Sequence, residues 1–407
     1  MKRIFTFISL MIFFYIPNSG LIGVPVFLSF IFIMINIYKF KKLDFITSFF
    51  TLIYFLIAYS LTIIFIRQSG DIHFFVLFSK FLIYYLGFSS LLRVINLSNK
   101  EILEILYIVL FINVLVSIIQ YFDLFNLRYF FMNINKRFIH DKFYNYESQG
   151  IIRTMGLFGG FDTNGIFLTF NFLLGSMLFF NSKRKFNKAK YIIMNIIIVL
   201  TIFTTSRTGL IALIIGSFIL FFITKNIVVS NIKLLIISAP ILVFSINLIK
   251  EKFTELFNKT YNFMFEALIN YSNYGVLETS STNKLFNNHY FLPKKTDVLL
   301  FGNSFSNNNL YGPHSDVAYV QIIFGLGLFS LLVLLFFGIR FLFDVIKLKR
   351  INNIKFVDDF SNYIIIVFLL IWITSFKGPY LLSQTVMMFY IFNYSFFKQI
   401  KKNFYRR

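Results

Sequence analysis

The chain of 407 residues contains no cysteine, four histidines, one tryptophan and six prolines. Without cysteine there is no disulfide, no thiolate metal site and no cysteine nucleophile. Four histidines leave little for a histidine-based metal centre. Acidic residues are also scarce: 17 Asp and Glu stand against 39 Lys and Arg, a formal net charge of +22. Charged residues total only 14%, whereas soluble domains carry about 25%. There is no Gly-rich nucleotide loop, no paired-aspartate metal motif facing inward and no His-Glu-x-x-His segment, which argues against nucleotide-sugar or ATP chemistry and against a zinc protease. No convincing internal repeat is visible, and no soluble domain of ordinary size.

What the chain does have is apolar residues, 57% of the total, with a mean hydropathy of +0.75. They fall in repeated runs that read as transmembrane helices. The 61 phenylalanines are given no functional weight, because an AT-rich genome would supply them. Lys and Arg sit in short loops between the runs. That placement marks cytoplasmic loops facing anionic lipid rather than a nucleic-acid surface. No small-residue cleavage site follows Pro17-Asn18, so the first run reads as an uncleaved span.

The fold class expected is an all-α integral membrane protein of about 12 spans, near 4–16, 21–38, 45–66, 73–92, 101–122, 164–181, 191–204, 210–223, 234–249, 317–339, 361–376 and 380–397. Both termini are expected inside. Inner loops hold most of the Lys and Arg, while the short outer turns hold one each, at Arg67, Arg207 and Lys377, as the positive-inside rule requires. The expected organisation is a bundle over 1–249, a large extracytoplasmic loop over 250–315, and a second bundle with a cytoplasmic tail over 316–407. Within the loop, Glu251 to Tyr271 has apolar residues at partly helical spacing and is expected to lie as a surface helix. Glu278 to His289, rich in Ser and Asn, is expected to be irregular. The wetter stretch 123–163 reads as a sizeable outer loop with an interfacial character.

The candidate functional residues gather on the outer face of this topology. Arg153 opens a Gly-rich entry to a span, Arg153-Thr154-Met155-Gly156 through Asp162-Thr163-Asn164. It reads either as an anion clamp, since guanidinium grips phosphate through paired hydrogen bonds, or as an interfacial Arg that snorkels to lipid headgroups. Arg207, in Thr205-Ser206-Arg207-Thr208-Gly209, sits in a very short turn where positive charge is disfavoured. An Arg near a bilayer face is a functional candidate; the alternative is a structural ion pair with Asp162, Asp316 or Asp71. His314 stands next to a span start and suits a general base for a sugar hydroxyl, or a helix-entry residue bonded to backbone. Asp316 is close to it but could equally cap the helix. Lys80, deep in a run, must snorkel, pair or line a polar groove. Lys377-Gly378-Pro379 is a further outer basic turn.

Three places together resemble the O-antigen ligase and polymerase superfamily, which comprises WaaL-type ligases and Wzy-type polymerases. Arg153 through Asn164 resembles an Arg-x-x-Gly…Pro-Asn span entry. Ser206-Arg207-Thr208-Gly209 resembles a Ser-Arg-x-Gly turn. His314-Ser315-x-x-x-Tyr319, followed by Gly325-Leu326-Gly327, resembles the end of the large outer loop. The likeness covers about residues 150–330 in motifs and the whole chain in topology. Thr163 stands where the family often has Pro, Ser315 where Asn is common, and Gly302-Asn303-Ser304 only loosely matches an upstream Gly-x-Gly.

The resemblance implies a glycosyltransferase of the bacterial cytoplasmic membrane that acts on its outer face. Donor and acceptor would both be glycans on undecaprenyl diphosphate, and the enzyme would need no cofactor and no metal. His314, Arg207 and Arg153 would be catalytic; Lys80, Asn164, Asp316, Tyr319 and Lys377 would bind substrate. Membrane lipids and a chain-length regulator are the further partners it implies, and nucleic acid is not among them. A polymerase of O-antigen or capsule is preferred, because polymerases diverge most from the shared motifs. The alternatives are a ligase to lipid A-core and, from a different class, a flippase or exporter of lipid-linked oligosaccharide. An exporter should show paired halves and charges through its central spans; only Lys80 lies deep in a run.

Overall fold

In the computed structural model the described residues are 1–16, 23–36, 48–69, 71–95, 97–134, 152–158, 160–223, 254–304, 315–351 and 354–404. Among them the regular structure is entirely helical. In chain order the helices are α1 (Lys2–Tyr15), α2 (Val24–Ile35), α3 (Ser48–Arg67), α4 (His73–Val94), α5 (Asn99–Phe122), α6 (Arg128–Ile134), α7 (Phe161–Phe180), α8 (Lys185–Ile202), α9 (Arg207–Ile223), α10 (Thr254–Met264), α11 (Glu266–Tyr274), α12 (Ser280–Asn288), α13 (Thr296–Phe301), α14 (Ala318–Ile351), α15 (Lys355–Thr374) and α16 (Gln384–Phe404). Six of them, α3, α4, α5, α7, α14 and α15, are long and apolar enough to cross a membrane. Helices occupy each of the other expected spans as well, except 234–249, which lies outside the described residues.

The chain divides into two compact units, Ser98–Thr279 and Met1–Leu97 with Ser280–Arg407. The stretch 250–315 is thus shared between them.

In the unit of Ser98–Thr279, α7 packs against α5, α8 and α9. Its start is well defined chemically. Ser98 and Glu101 form a capping box at the head of α5, with Glu101 N–H donating to Ser98 Oγ and Ser98 N–H to Glu101 Oε2, which satisfies two amides that the first turn leaves without partners. α5 ends at Asp123 in a left-handed conformation. The buried Arg128 then closes the last turn, donating from Nε to the Gln120 carbonyl at 2.7 Å and from Nη2 to the Tyr121 carbonyl at 3.0 Å. A cation on the free carbonyls of a helix end is favourable on both hydrogen-bonding and dipole grounds. Deep in the unit, Asn195 of α8 accepts from Tyr107 OH of α5 and donates to Ser176 Oγ of α7. Such links replace the hydrophobic effect, which does not drive helices together in lipid.

In the other unit α4 is central, with α2, α3 and α16 around it. Phenylalanine fills much of this core: Phe13, Phe14, Phe88, Phe389 and Phe392 interlock, with Phe13 and Phe88 centroids 4.5 Å apart. α14 is 34 residues long, about 50 Å if straight and well beyond the ~30 Å of a bilayer core. It is broken at Gly327, whose φ of 78° and ψ of 168° only glycine adopts easily. Near the break the Phe324 and Gly325 carbonyls accept from Asn303 and Ser304 N–H at 2.9 Å each. Gly302 lies so close that a Cβ there would stand 2.4 Å from the Gly325 carbonyl oxygen. Gly302-Asn303-Ser304 and Gly325-Leu326-Gly327 are therefore backbone partners. The same segment is fixed to the α3–α4 turn by Arg67 to Asp297 at 2.7 Å and by Ser304 Oγ to the Asp71 carbonyl at 2.8 Å. Irregular backbone at such a place is stable because protein, not lipid, satisfies it.

Two expectations for the loop need correcting. Glu251 to Tyr271 is not one helix: α10 and α11 meet at Phe265, whose φ of −104° and ψ of 17° interrupt the helix. Residues 278–289 are not irregular but contain α12. Short polar side chains favour the first turn of a helix as much as they favour loops, and Ser280-Ser281-Thr282-Asn283 supplies them at its start.

Candidate functional site

Arg153 and Arg207 come together in the unit of Ser98–Thr279. The route runs through backbone. Thr154 N–H donates to the Thr204 carbonyl at 2.9 Å, and Arg153 Nε donates to the Thr205 carbonyl at 2.9 Å. The segment before α7 is thereby joined to the turn before α9. Phe263 of α10 lies against both cations. The Arg207 guanidinium carbon lies 4.1 Å from the centroid of its ring, and that of Arg153 5.1 Å. Arg153 also covers Phe161 at 4.3 Å. Both arginines are 8% exposed.

Neither charge is left bare. Arg153 Nη2 reaches Asp162 at 3.4 Å. Arg207 Nη2 bonds the Glu266 carboxylate and Nε bonds the Phe263 carbonyl at 2.6 Å. Arg153 is thus buried against aromatic rings and backbone. Arg207 forms an ion pair with Glu266, a residue that was not among the aspartates considered from sequence. Asp162 serves Arg153, while Asp71 accepts from His73 N–H at the head of α4. A burial this deep costs several kcal/mol for an unpaired cation, which explains why two carboxylates, two carbonyls and two rings surround the pair.

The Ser-Arg-x-Gly turn has a specific local logic. Ser206 Oγ accepts from Gly209 N–H at 3.1 Å and so caps α9. Arg207 is the first helical residue. Gly209 meets Gly165 of α7 with no room for a side chain: a Cβ on Gly209 would lie 2.6 Å from the Gly165 Cα. Thr169 Oγ1 reinforces the crossing by donating to the Gly209 carbonyl at 3.1 Å. The starts of α7 and α9 therefore lie at one end, and the positive ends of two helix dipoles add to the potential of the arginines.

A polar stripe on α5 holds the Arg153 segment, and sequence reasoning missed it. Asn113, Ser117 and Gln120 recur at helical spacing on an otherwise apolar face, a pattern that was available to be seen. Gln120 Oε1 accepts from Met155 and Gly156 N–H at 3.1 and 2.8 Å, and its Nε2 donates to the Gly156 carbonyl at 3.0 Å. Asn113 Oδ1 accepts from Leu157 N–H at 2.7 Å. Asn164 joins this clamp: its Nδ2 donates to Ser117 Oγ and the Thr154 carbonyl, and its Oδ1 accepts from Asn113. Its amide is committed to scaffolding. Gly156, at φ 58°, makes the tight turn possible.

The remaining candidates lie in the other unit. His314 is outside the described residues. Ser315 Oγ donates to the His289 carbonyl at 2.8 Å, and Asp316 N–H donates to His289 Nδ1 at 3.1 Å. His289 Nε2 is 3.7 Å from Asp316 Oδ2. His289, not Asp316 alone, therefore shapes the entrance to α14, and its distance in sequence concealed this. Tyr319 OH donates to the Trp372 carbonyl at 2.6 Å, and its ring lies tilted against Phe376, centroids 4.5 Å apart. The half-buried Lys377 sits in the turn that ends α15, where its N–H donates to the Thr374 carbonyl at 2.8 Å. Lys80 is half-buried on α4. Among the described residues no group of three His, Asp or Glu is placed to hold a metal ion.

No family model, no curated protein and no solved structure matches the chain.

Proposed function

We propose that this protein is a glycosyltransferase of the bacterial cytoplasmic membrane, with about 12 spans and both termini inside. It moves a growing glycan from undecaprenyl diphosphate to a lipid-linked repeat unit on the outer face. The observation that supports this reading is the convergence of Arg153 and Arg207 on the ring of Phe263, at the meeting of two helix starts. The leaving group of such a transfer is a diphosphate. Two fixed guanidinium groups stabilise the charge that develops on it, in a site where water is largely excluded.

Residue by residue the chemistry runs as follows. Arg153 and Arg207 receive the diphosphate oxygens, which replace Asp162 and Glu266 as acceptors. The carboxylates hold the cations in place while the site is empty, and an anion with more acceptor oxygens displaces them. His314 takes the proton of the accepting hydroxyl as the new glycosidic bond forms and the bond to diphosphate breaks. Asn164 holds the Arg153 segment rather than the sugar. Asp316, Tyr319, Lys80 and Lys377 are assigned to substrate binding in this reading.

The test is a gel of surface polysaccharide from a strain lacking the gene. If single repeat units remain on the core and the wild-type gene restores the ladder, the protein is a polymerase. Bare lipid A-core with accumulated lipid-linked chains would make it a ligase. A normal ladder in the deletion strain would overturn the reading.

A further inference from the structure

In the unit of Met1–Leu97 with Ser280–Arg407, helices α3, α14, α15 and α16 border an elongated crevice. Its wall on α14 is Leu334, Phe337, Gly338, Phe341 and Asp344, spaced to share one helix face. From Leu334 to Asp344 that face runs about 15 Å, half of a ~30 Å hydrocarbon core. Lys347, Lys349 and Arg350 follow Asp344 on the same helix, which puts the Asp344 end of the crevice at headgroup depth. Gly338 lets α15 come close: a Cβ there would stand 2.9 Å from Phe368 Cζ and 3.2 Å from Trp372 Cζ2. Beside Asp344, Phe341 packs on Tyr390 and Tyr394 of α16, with centroids 5.8 and 5.3 Å away.

Among the described residues that line the crevice, Asp344 is the single charged one. Its carboxylate is 3.6 Å from Lys401 Nζ of α16, and the two side chains are 39% and 32% exposed. A pair so open to solvent contributes only about 0–1 kcal/mol, so a ligand that satisfies both charges can displace it. A hydrocarbon chain suits the aliphatic and aromatic wall. A head with one phosphate and one ammonium matches Lys401 and Asp344 together, and charge-assisted hydrogen bonds then form on both sides. Phosphatidylethanolamine carries both groups. Phosphatidylglycerol would take Lys401 and leave the Asp344 carboxylate without a cation, and a choline head has no N–H to donate to it.

We propose that this crevice seats an acyl chain of one phosphatidylethanolamine, with its ammonium on Asp344 and its phosphate on Lys401. The site belongs to a different unit from Arg153 and Arg207 and does not depend on what they bind.

Purified full-length protein in detergent is incubated with phosphatidylethanolamine, phosphatidylglycerol or phosphatidylcholine of the same acyl composition, and bound lipid is counted by native mass spectrometry. Wild type retains one phosphatidylethanolamine saturably, about tenfold more tightly than either other lipid, ~1.4 kcal/mol. Asp344→Asn keeps the shape, removes the charge and abolishes that preference. Leu334→Trp blocks the chain end of the crevice, away from the charged pair, and weakens retention of phosphatidylethanolamine about tenfold; it carries the test if Asp344→Asn does not fold. Equal or stronger retention of phosphatidylglycerol by wild type would overturn the proposal. So would an unchanged preference in folded Asp344→Asn, or wild-type retention of phosphatidylethanolamine by folded Leu334→Trp.

Discussion

Glu266 stands where the leaving group of the proposed reaction would bind, so removing its charge should tighten anion binding. The Glu266 carboxylate bonds Arg207 directly; the side chains are 27% and 10% exposed. At about 4 Å and an effective dielectric near 20, a unit pair attracts by ~4 kcal/mol. Partial exposure of Glu266 screens much of that, leaving about 1–2 kcal/mol net. Glu266→Gln keeps the shape and an acceptor oxygen but removes the charge with which an incoming anion competes. Inorganic diphosphate should therefore bind about five- to thirtyfold more tightly to the variant than to wild type. The same substitution weakens a largely buried pair, so thermal stability should fall modestly. Equilibrium dialysis of purified protein measures the first effect and thermal unfolding the second. Unchanged or weaker diphosphate binding by a folded Glu266→Gln protein would refute the claim that carboxylate and anion compete for Arg207. Asp162→Asn should act in the same direction but less, because Asp162 is 48% exposed and its contact is longer, at 3.4 Å.

Further outcomes follow from the scaffold. Gln120→Leu leaves the Met155 and Gly156 amides buried without acceptors and should cost about 1–3 kcal/mol for each such group, read as a lower unfolding temperature together with weaker diphosphate binding. Gly209→Ala forces a Cβ within 2.6 Å of the Gly165 Cα, and overpacking of this kind costs about 1–3 kcal/mol; the same change at Gly160, where the nearest atom would be 3.5 Å away, should be tolerated, and comparing the two unfolding temperatures checks both. In the other unit the bond from Arg67 holds the exposed Asp297 carboxyl below its ordinary range. Its folded value is depressed, so the contribution of this contact is complete above the usual carboxylate range, about pH 4, and is lost as the pH falls through the folded value. Asp297→Asn should remove that acid-side step from a pH series of unfolding temperatures.

Much of the helical layout was legible because runs of about 20 apolar residues leave a chain little choice in a bilayer. Six helices meet that standard of length and composition. Arg153 and Arg207 each stand beside the start of an apolar run, and the structure brings the two starts together. Their partners were not legible. Glu266 is distant in sequence from Arg207 and lies at a break between helices that no Gly or Pro announces. Phe263 was one phenylalanine among 61, and composition cannot distinguish a ring against two cations from one facing lipid. α12 was hidden because Ser and Asn favour both helix starts and loops. The stripe of Asn113, Ser117 and Gln120, by contrast, was readable: three amide or hydroxyl groups at helical spacing inside an apolar run mark a face that binds backbone or polar side chains. His289 could be found only in three dimensions, since its bond to Asp316 N–H spans the end of the loop.

The measurement that bears most directly on the central claim is chain growth by purified protein in lipid nanodiscs supplied with an undecaprenyl-diphosphate-linked repeat unit, resolved on a gel. Wild type should build a ladder, and Arg207→Ala, folded and inserted to the same extent, should leave the repeat unit unextended. A full ladder from Arg207→Ala would contradict the account.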